Sequence, residues 1–197
     1  MKMVIAMKHK FSVSVEELSD AQKHFFQVTY DRWLNDVLFT FNWWFLLVLM
    51  IVPLVIWWRL LDKTRTMEIA FYGLCIVIIA ITLDVAGVVL SAWTYGYKLV
   101  QFFPPLAPVD FGTLPVLYML IYQWVPRWKP FIFIIIFFAV FWAFIAEPIF
   151  IWMKIYYLNW WKYVYSFPIY IVMGIGIKAL TEKVISLQAQ QRREKKE

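Results

Sequence analysis

Asp84 and Glu147 are carboxylates set inside long apolar runs, and Glu147 is followed directly by Pro148 within the stretch from Pro130 to Met153. An ionisable group there costs roughly 2.5–3.5 kcal/mol on insertion scales, so it must face a partner or water, and by default it marks a functional position. Asp110, Asn42 and Ser166 place further polar groups toward the starts of three other apolar runs. These five residues form the candidate ligand- or cation-binding set. Carboxylates beside loosened backbone carbonyls suit a cation, a proton or a polar head group, and two packed together share a proton. The competing reading is that Asp84 and Glu147 are hydrogen-bonded to Ser, Tyr or Trp groups and only fix helix packing.

Catalysis has less to stand on. The only histidines, His9 and His24, lie outside the apolar runs and have no ligand-like cluster around them, so neither a catalytic histidine nor a metal site is expected. Cys75 falls deep in the second run and is the only cysteine, so no intrachain disulfide can form, and Ser166 has no visible base. No catalytic residue and no cofactor is assigned. Carboxylates acting as general acid and base on a lipid or isoprenoid remain one alternative.

The elements that carry these groups follow from composition. With 63% hydrophobic and 21% aromatic residues in 197, the chain far exceeds the roughly 45–50% apolar share of soluble domains. It reads as an integral membrane protein, and its expected partner is the lipid bilayer. A crossing needs about 20 apolar helical residues, and five segments qualify: Phe39–Leu61, Glu68–Ser91, Val109–Val125, Pro130–Met153 and Tyr163–Leu180. The expected fold is therefore all-α, a five-helix membrane bundle over 39–181, preceded by a segment 1–38 and followed by a basic tail 182–197. Too short an apolar stretch precedes Lys8 for a secretory signal, so the first span is expected to act as the insertion signal.

Ser14 and Glu17 have capping-box spacing and open a helix expected from about Val15 to Leu38. Phe26, Tyr30, Trp33 and Val37 share one face, which suits either a helix lying on the membrane surface or one packed on the bundle's own loops. Tryptophans at 43–44, 57–58, 124, 128 and 160–161 read as interface anchors. The loop Ala92–Pro108 contains Pro104, Pro105 and Pro108 and either covers the bundle mouth or crosses it as a stiff link.

Orientation follows from the basic residues, of which eleven of 19 fall on the C-terminal side of the spans. The N-terminus is expected outside and the C-terminus in the cytoplasm. The net charge of +6 then reflects topology, and no nucleic-acid partner is expected. Asp84 falls roughly 6 Å and Glu147 roughly 8 Å beyond the span midpoints on the outer side, at about 1.5 Å per residue. Ser166 sits at a similar level, with Asp110 and Asn42 higher, while little but Gln123 is polar in the inner half. Pro115, Pro148 and Pro168 loosen the same outer half, whereas Pro53 lies slightly inward.

The segment Pro108–Lys178 carries Asp110-Phe111, Leu114-Pro115-Val116, Tyr118 to Gln123, Trp128-Lys129, Glu147-Pro148 and Tyr165-Ser166-Phe167-Pro168-Ile169-Tyr170. In these motifs it resembles an uncharacterised family of small five-span membrane proteins of spore-forming Gram-positive bacteria. The resemblance implies a Gram-positive plasma membrane and makes Asp110, Gln123, Glu147 and Ser166 pattern positions; it brings no substrate or reaction. Three functions stay open on these grounds: a non-catalytic component for assembly or sensing, cation or proton binding and transport through Glu147, Asp84 and Asp110, and the lipid enzyme. A second copy of the chain or another membrane protein is the expected protein partner.

Overall fold

The computed structural model describes residues 13–103 and 106–194, the side chain of Arg192 excepted. Helix α1, Val15–Arg32, opens on the expected capping box between Ser14 and Glu17 and continues through a π-wound turn, Trp33–Val37. Helices α2 (Phe41–Leu60) and α3 (Thr66–Val89) follow. A π-wound turn at Pro108–Thr113 leads into α4, Leu114–Trp124. Helix α5, Trp128–Phe141, passes through a second π segment, Trp142–Ala146, into α6, Glu147–Trp152. Helix α7, Tyr163–Glu194, runs well past the expected end of the fifth run, because the polar segment after Leu180 stays helical.

Among the described residues, four helical stretches are long and apolar enough to cross a membrane: α2, α3, the continuous α5–α6 and the apolar part of α7. The third expected span is different. Its α-helix has 11 residues, and its length is completed only by the π turn before it. Leu114, Val116, Tyr118, Leu120 and Tyr122 of α4 are all buried, so protein rather than lipid surrounds it. A helix enclosed in this way is freed from matching the bilayer thickness.

The core lies between α3, α4, α5 and α7, where Tyr72 stacks on Tyr122 at 4.3 Å and Tyr118 meets Phe138 edge-on. Tyr118 and Tyr72 donate to the α7 carbonyls of Tyr170 and Gly174, which fixes the helix axially. Helix α2 joins this core through Leu54 and Trp57 and through a close approach to the π turn before α4. Gly112 lies against the Leu49–Met50 backbone, and Thr113 Oγ1 donates to Leu49 O at 2.8 Å.

A short two-stranded sheet was not expected. Strands β1 (Trp93–Tyr95) and β2 (Tyr156–Leu158) pair antiparallel, with Trp93 opposite Leu158 and Tyr95 opposite Tyr156. The strands arise from two matched helix ends. After α3, Ser91 takes φ 52°, Ser91 N–H donates to Val88 O and Ala92 N–H to Gly87 O. After α6, Lys154 takes φ 58°, Lys154 N–H donates to Ile151 O and Ile155 N–H to Phe150 O. Both are Schellman turns with a non-glycine residue in the left-handed position. Each turns a helix directly into a strand, so α3 and α6 carry the ribbon between them. The end of the bundle bearing it is called the ribbon end below, and the opposite end the tail end.

Helix α1 buries none of its residues, although Phe26, Tyr30 and Trp33 do stack along one face. Its described bond to the loops comes at its end, where Trp33 Nε1 donates to Lys98 O. Trp43 Nε1 donates likewise to Leu99 O, so these two indoles hold the loop after β1 rather than acting only as interface anchors. Met1–Met7 and His9 lie outside the described residues, as do Pro104, Pro105 and Lys195–Glu197.

Candidate functional site

Four of the five expected residues meet. Asp84, Asp110, Glu147 and Ser166 line one cavity of about 260 Å³ at the ribbon end, between α3, the π turn before α4, α6 and α7. Asn42 does not reach it: its Nδ2 donates to Met153 O at 2.9 Å and ties α2 to the end of α6. The polarity of Asn42 serves a helix end, which sequence depth alone cannot distinguish from a cavity wall.

Local backbone chemistry sets the acids in place. Pro115 and Pro148 lack the N–H that would close the preceding helical turn, and in both cases a π-wound segment precedes the proline. Asp110 lies within the first of these segments and Glu147 immediately after the second. A π turn rotates the residues that follow it relative to a regular helix. Both carboxylates thus stand on or directly after π-wound backbone that precedes a proline.

Asp84 is fully engaged. Its Oδ1 accepts from Trp93 Nε1 at 2.7 Å and from the Tyr95 hydroxyl, and its Oδ2 accepts from Leu106 N–H at 2.9 Å. Burial and the neighbouring Asp84 push the Tyr95 hydroxyl well above its usual value, so it stays a proton donor. Burial does the same for Tyr156 across the ribbon. The Asp84 carboxylate thus anchors the described parts of the loop after α3, which form a wall of the cavity through Trp93, Tyr95 and Leu106.

Asp110 and Glu147 are not engaged in this way. The Asp110 carboxyl adjoins that of Asp84, and its Oδ2 is buried and meets no hydrogen-bond donor. Glu147 Oε1 accepts from the Tyr170 hydroxyl at 2.8 Å, while Oε2 is buried without a partner. Ser166 lies alongside Glu147 but makes no bond to Oε2 in hydrogen-bonding geometry; its own oxygen accepts from Trp161 Nε1 at 3.1 Å. Both acids are 7% exposed, and no protein donor meets either oxygen.

The remaining walls are aromatic and aliphatic: Trp142, Tyr156, Trp160, Trp161 and Tyr170 stand around the carboxyls, and none of the described lining residues is basic. Lys98 stands behind this wall, over the Tyr95 ring at 5.9 Å and donating to Phe103 O. Burial lowers its affinity for a proton, and the Asp84 charge opposes that effect. The arrangement suits a positively charged or hydrogen-bond-donating group held between carboxylate oxygens and ring faces.

The tail end is more polar than sequence depth implied. Lys178 is 1% exposed, donates to Pro126 O at 2.9 Å, pairs with Glu182 at 3.2 Å, and lies 4.5–5.4 Å from the ring centroids of Phe131, Tyr122 and Trp128. Beside it, Glu68 pairs with Arg65 and accepts from the Tyr122 hydroxyl at 2.6 Å. The signal was present in the sequence as Lys178, a basic residue two positions before the expected end of a span. Gln123 bridges Leu60 O and Asp62 N–H, closing the end of α2.

Comparisons of the chain with protein families, with curated proteins and with solved structures found no match.

Proposed function

We propose that this chain is a multi-pass, non-catalytic component of a Gram-positive plasma membrane that recognises a cationic ligand in its ribbon-end cavity. Helix α4 counts as the fifth span, the ribbon end faces outward and the tail lies in the cytoplasm. The excess of Lys and Arg on the tail side supports that orientation. The motifs around Glu147-Pro148 and Tyr165–Tyr170 support the bacterial assignment through their resemblance to the spore-former family.

One observation carries the binding reading: Asp110 and Glu147 line one cavity, and each keeps a buried carboxylate oxygen, Oδ2 and Oε2, without a hydrogen-bond partner. A carboxyl group that served packing alone would have its oxygens satisfied, as those of Asp84 are, since an unmet buried acceptor costs about 1–3 kcal/mol and more when charged. A bound cation offsets that cost. Sensing or assembly follows if the ligand fixes the loop 92–108, which Asp84 already ties to the cavity.

The test is a melting experiment on purified protein in neutral-lipid nanodiscs with alkylammonium salts of graded chain length. At least one should raise the melting temperature in the wild type, and Glu147→Gln should abolish the rise. If no cation shifts the wild type, or if the variant responds equally, the reading is wrong. Cysteine labelling at Lys154→Cys and Lys183→Cys in intact cells tests the orientation: the first should react with an impermeant reagent and the second should not.

A further inference from the structure

A second depression lies directly beside the cavity. It is an apolar groove of about 500 Å³ between α3 and α7, formed by Ile79, Val172, Gly176 and Leu180 together with Leu83, Ile169 and Met173, and the last three line the acidic cavity as well. The polar chamber and the apolar groove therefore share a wall. Val172 and Leu180 are exposed on helices apolar enough to cross a membrane, so the groove opens toward hydrocarbon.

Its length is informative. From Pro168 to Leu180 the groove follows α7 for roughly 18 Å at about 1.5 Å per residue, close to the half-thickness of a ~30 Å hydrocarbon core. It runs from the level of the acids toward the tail end, as the chain of a lipid in the ribbon-side leaflet would. Gly176 keeps it open: a Cβ there would meet nothing within 4 Å.

The head group is specified by charge. A phosphate or carboxylate head would be repelled by Asp84, Asp110 and Glu147, whereas an ammonium would complete the unmet oxygens and lie against the ring faces. Lys178 shows the same chemistry within this fold, where an ammonium sits among three aromatic rings beside a carbonyl and a carboxylate.

We infer that the cavity's ligand is a membrane amphiphile, an ammonium head group on a long hydrocarbon chain, which reaches the acids sideways from the bilayer with its chain in the α3–α7 groove. The inference rests on the cation-binding reading above and adds the tail and the route. Lipid reaching the groove needs no opening of the loop 92–108.

The experiment compares hexadecylamine, ethanolamine and hexadecanol in neutral-lipid nanodiscs, reading the melting temperature of the wild type, Gly176→Ala, Gly176→Leu and Glu147→Gln. Hexadecylamine should stabilise the wild type, and ethanolamine and hexadecanol at the same concentration should not. Gly176→Leu should weaken the apparent hexadecylamine affinity about tenfold or more, a loss of about 1.4 kcal/mol, while Gly176→Ala keeps it; a normal ligand-free melt of both variants shows that they fold. Equal responses to ethanolamine and hexadecylamine, with Gly176→Leu unaffected, would overturn the tail and leave the cation site standing. Stabilisation by hexadecanol that survives Glu147→Gln would overturn both, as would no response to either amine.

Discussion

Gly87 and Trp93 approach so closely that a Cβ at position 87 would stand 2.0 Å from Trp93 Cζ2. The indole lies flat enough on α3 to donate to Asp84, one turn before the glycine. Gly87→Ala should push the ring off the helix, break that bond and loosen the wall built from β1. We expect a loss of about 1–3 kcal/mol, as for other overpacked positions, seen as a lower melting temperature with an altered tryptophan emission. An unchanged emission would mean that the ring does not depend on the glycine.

The acids should respond to neutralisation with opposite signs. Asp84→Asn replaces a carboxylate that accepts from Trp93, Tyr95 and Leu106, and charged hydrogen bonds contribute about 1.5–3 kcal/mol each. Glu147→Gln keeps an oxygen for the Tyr170 hydroxyl and replaces a buried unmet charge by a neutral amide, which costs less to bury. Ligand-free melts at neutral pH should therefore fall for Asp84→Asn and hold or rise for Glu147→Gln. A large drop in the second variant would assign Glu147 to packing.

Two turns invite stabilisation. Ser91 and Lys154 adopt φ values of 52° and 58°, where a side chain costs roughly 1–2 kcal/mol that glycine does not incur. Lys154→Gly and Ser91→Gly should each raise the denaturation midpoint modestly, because the gain in the folded turn exceeds the extra freedom of glycine in the unfolded chain. Chemical denaturation in micelles with either variant below the wild type would count against the Schellman assignment.

At the tail end, the Thr64 hydroxyl and N–H both donate to Asp62, in the loop between α2 and α3, and hold its carboxyl below the usual value near 3.8. A lowered carboxyl contributes stability above its unfolded value, and that contribution disappears as pH falls through the folded one. Thr64→Ala removes the larger of the two causes, so the Asp62 titration midpoint should move up. Carboxyl carbon NMR between pH 2 and 6 reads this directly, and a midpoint indifferent to Thr64 would refute the assigned cause.

Lys178→Met should leave the Pro126 carbonyl without its donor and lower the melting temperature, whereas Glu182→Gln, at the half-exposed end of the ion pair, should change it little. Reversal of that order would place the weight of the interaction on the ion pair instead of on the aromatic box.

Hydropathy was enough to find α2, α3, α5–α6 and α7, since each apolar run is bounded by charged or tryptophan-rich turns. Depth along those runs also put Asp84, Glu147 and Ser166 at one level with Asp110 and Asn42 a little higher, and prolines pointed to the segments that carry Asp110 and Glu147. Other features left weaker traces. The ribbon depends on left-handed Ser91 and Lys154, which lack the glycine that ordinarily marks such turns. Asn42 and Lys178 bond to the carbonyls of Met153 and Pro126, distant in sequence, so no local spacing reports them. The groove lies between the faces of two helices, a relation that neither helix's own pattern contains.

Helix α2 fully buries only Leu46; beside its packing along the π turn before α4, it is attached by side chains that donate to carbonyls: Asn42 to Met153, Trp43 to Leu99, Gln123 to Leu60 and Thr113 to Leu49. In hydrocarbon such bonds need no water to be displaced from apolar faces, so they can form after the rest has compacted. The earliest of the candidate membrane helices to leave the ribosome is thus the one with the smallest buried share. Biogenesis of this bundle should be limited by the meeting of α3, α4, α5 and α7, with α2 latching on as a strut once Gly112 offers it a seat.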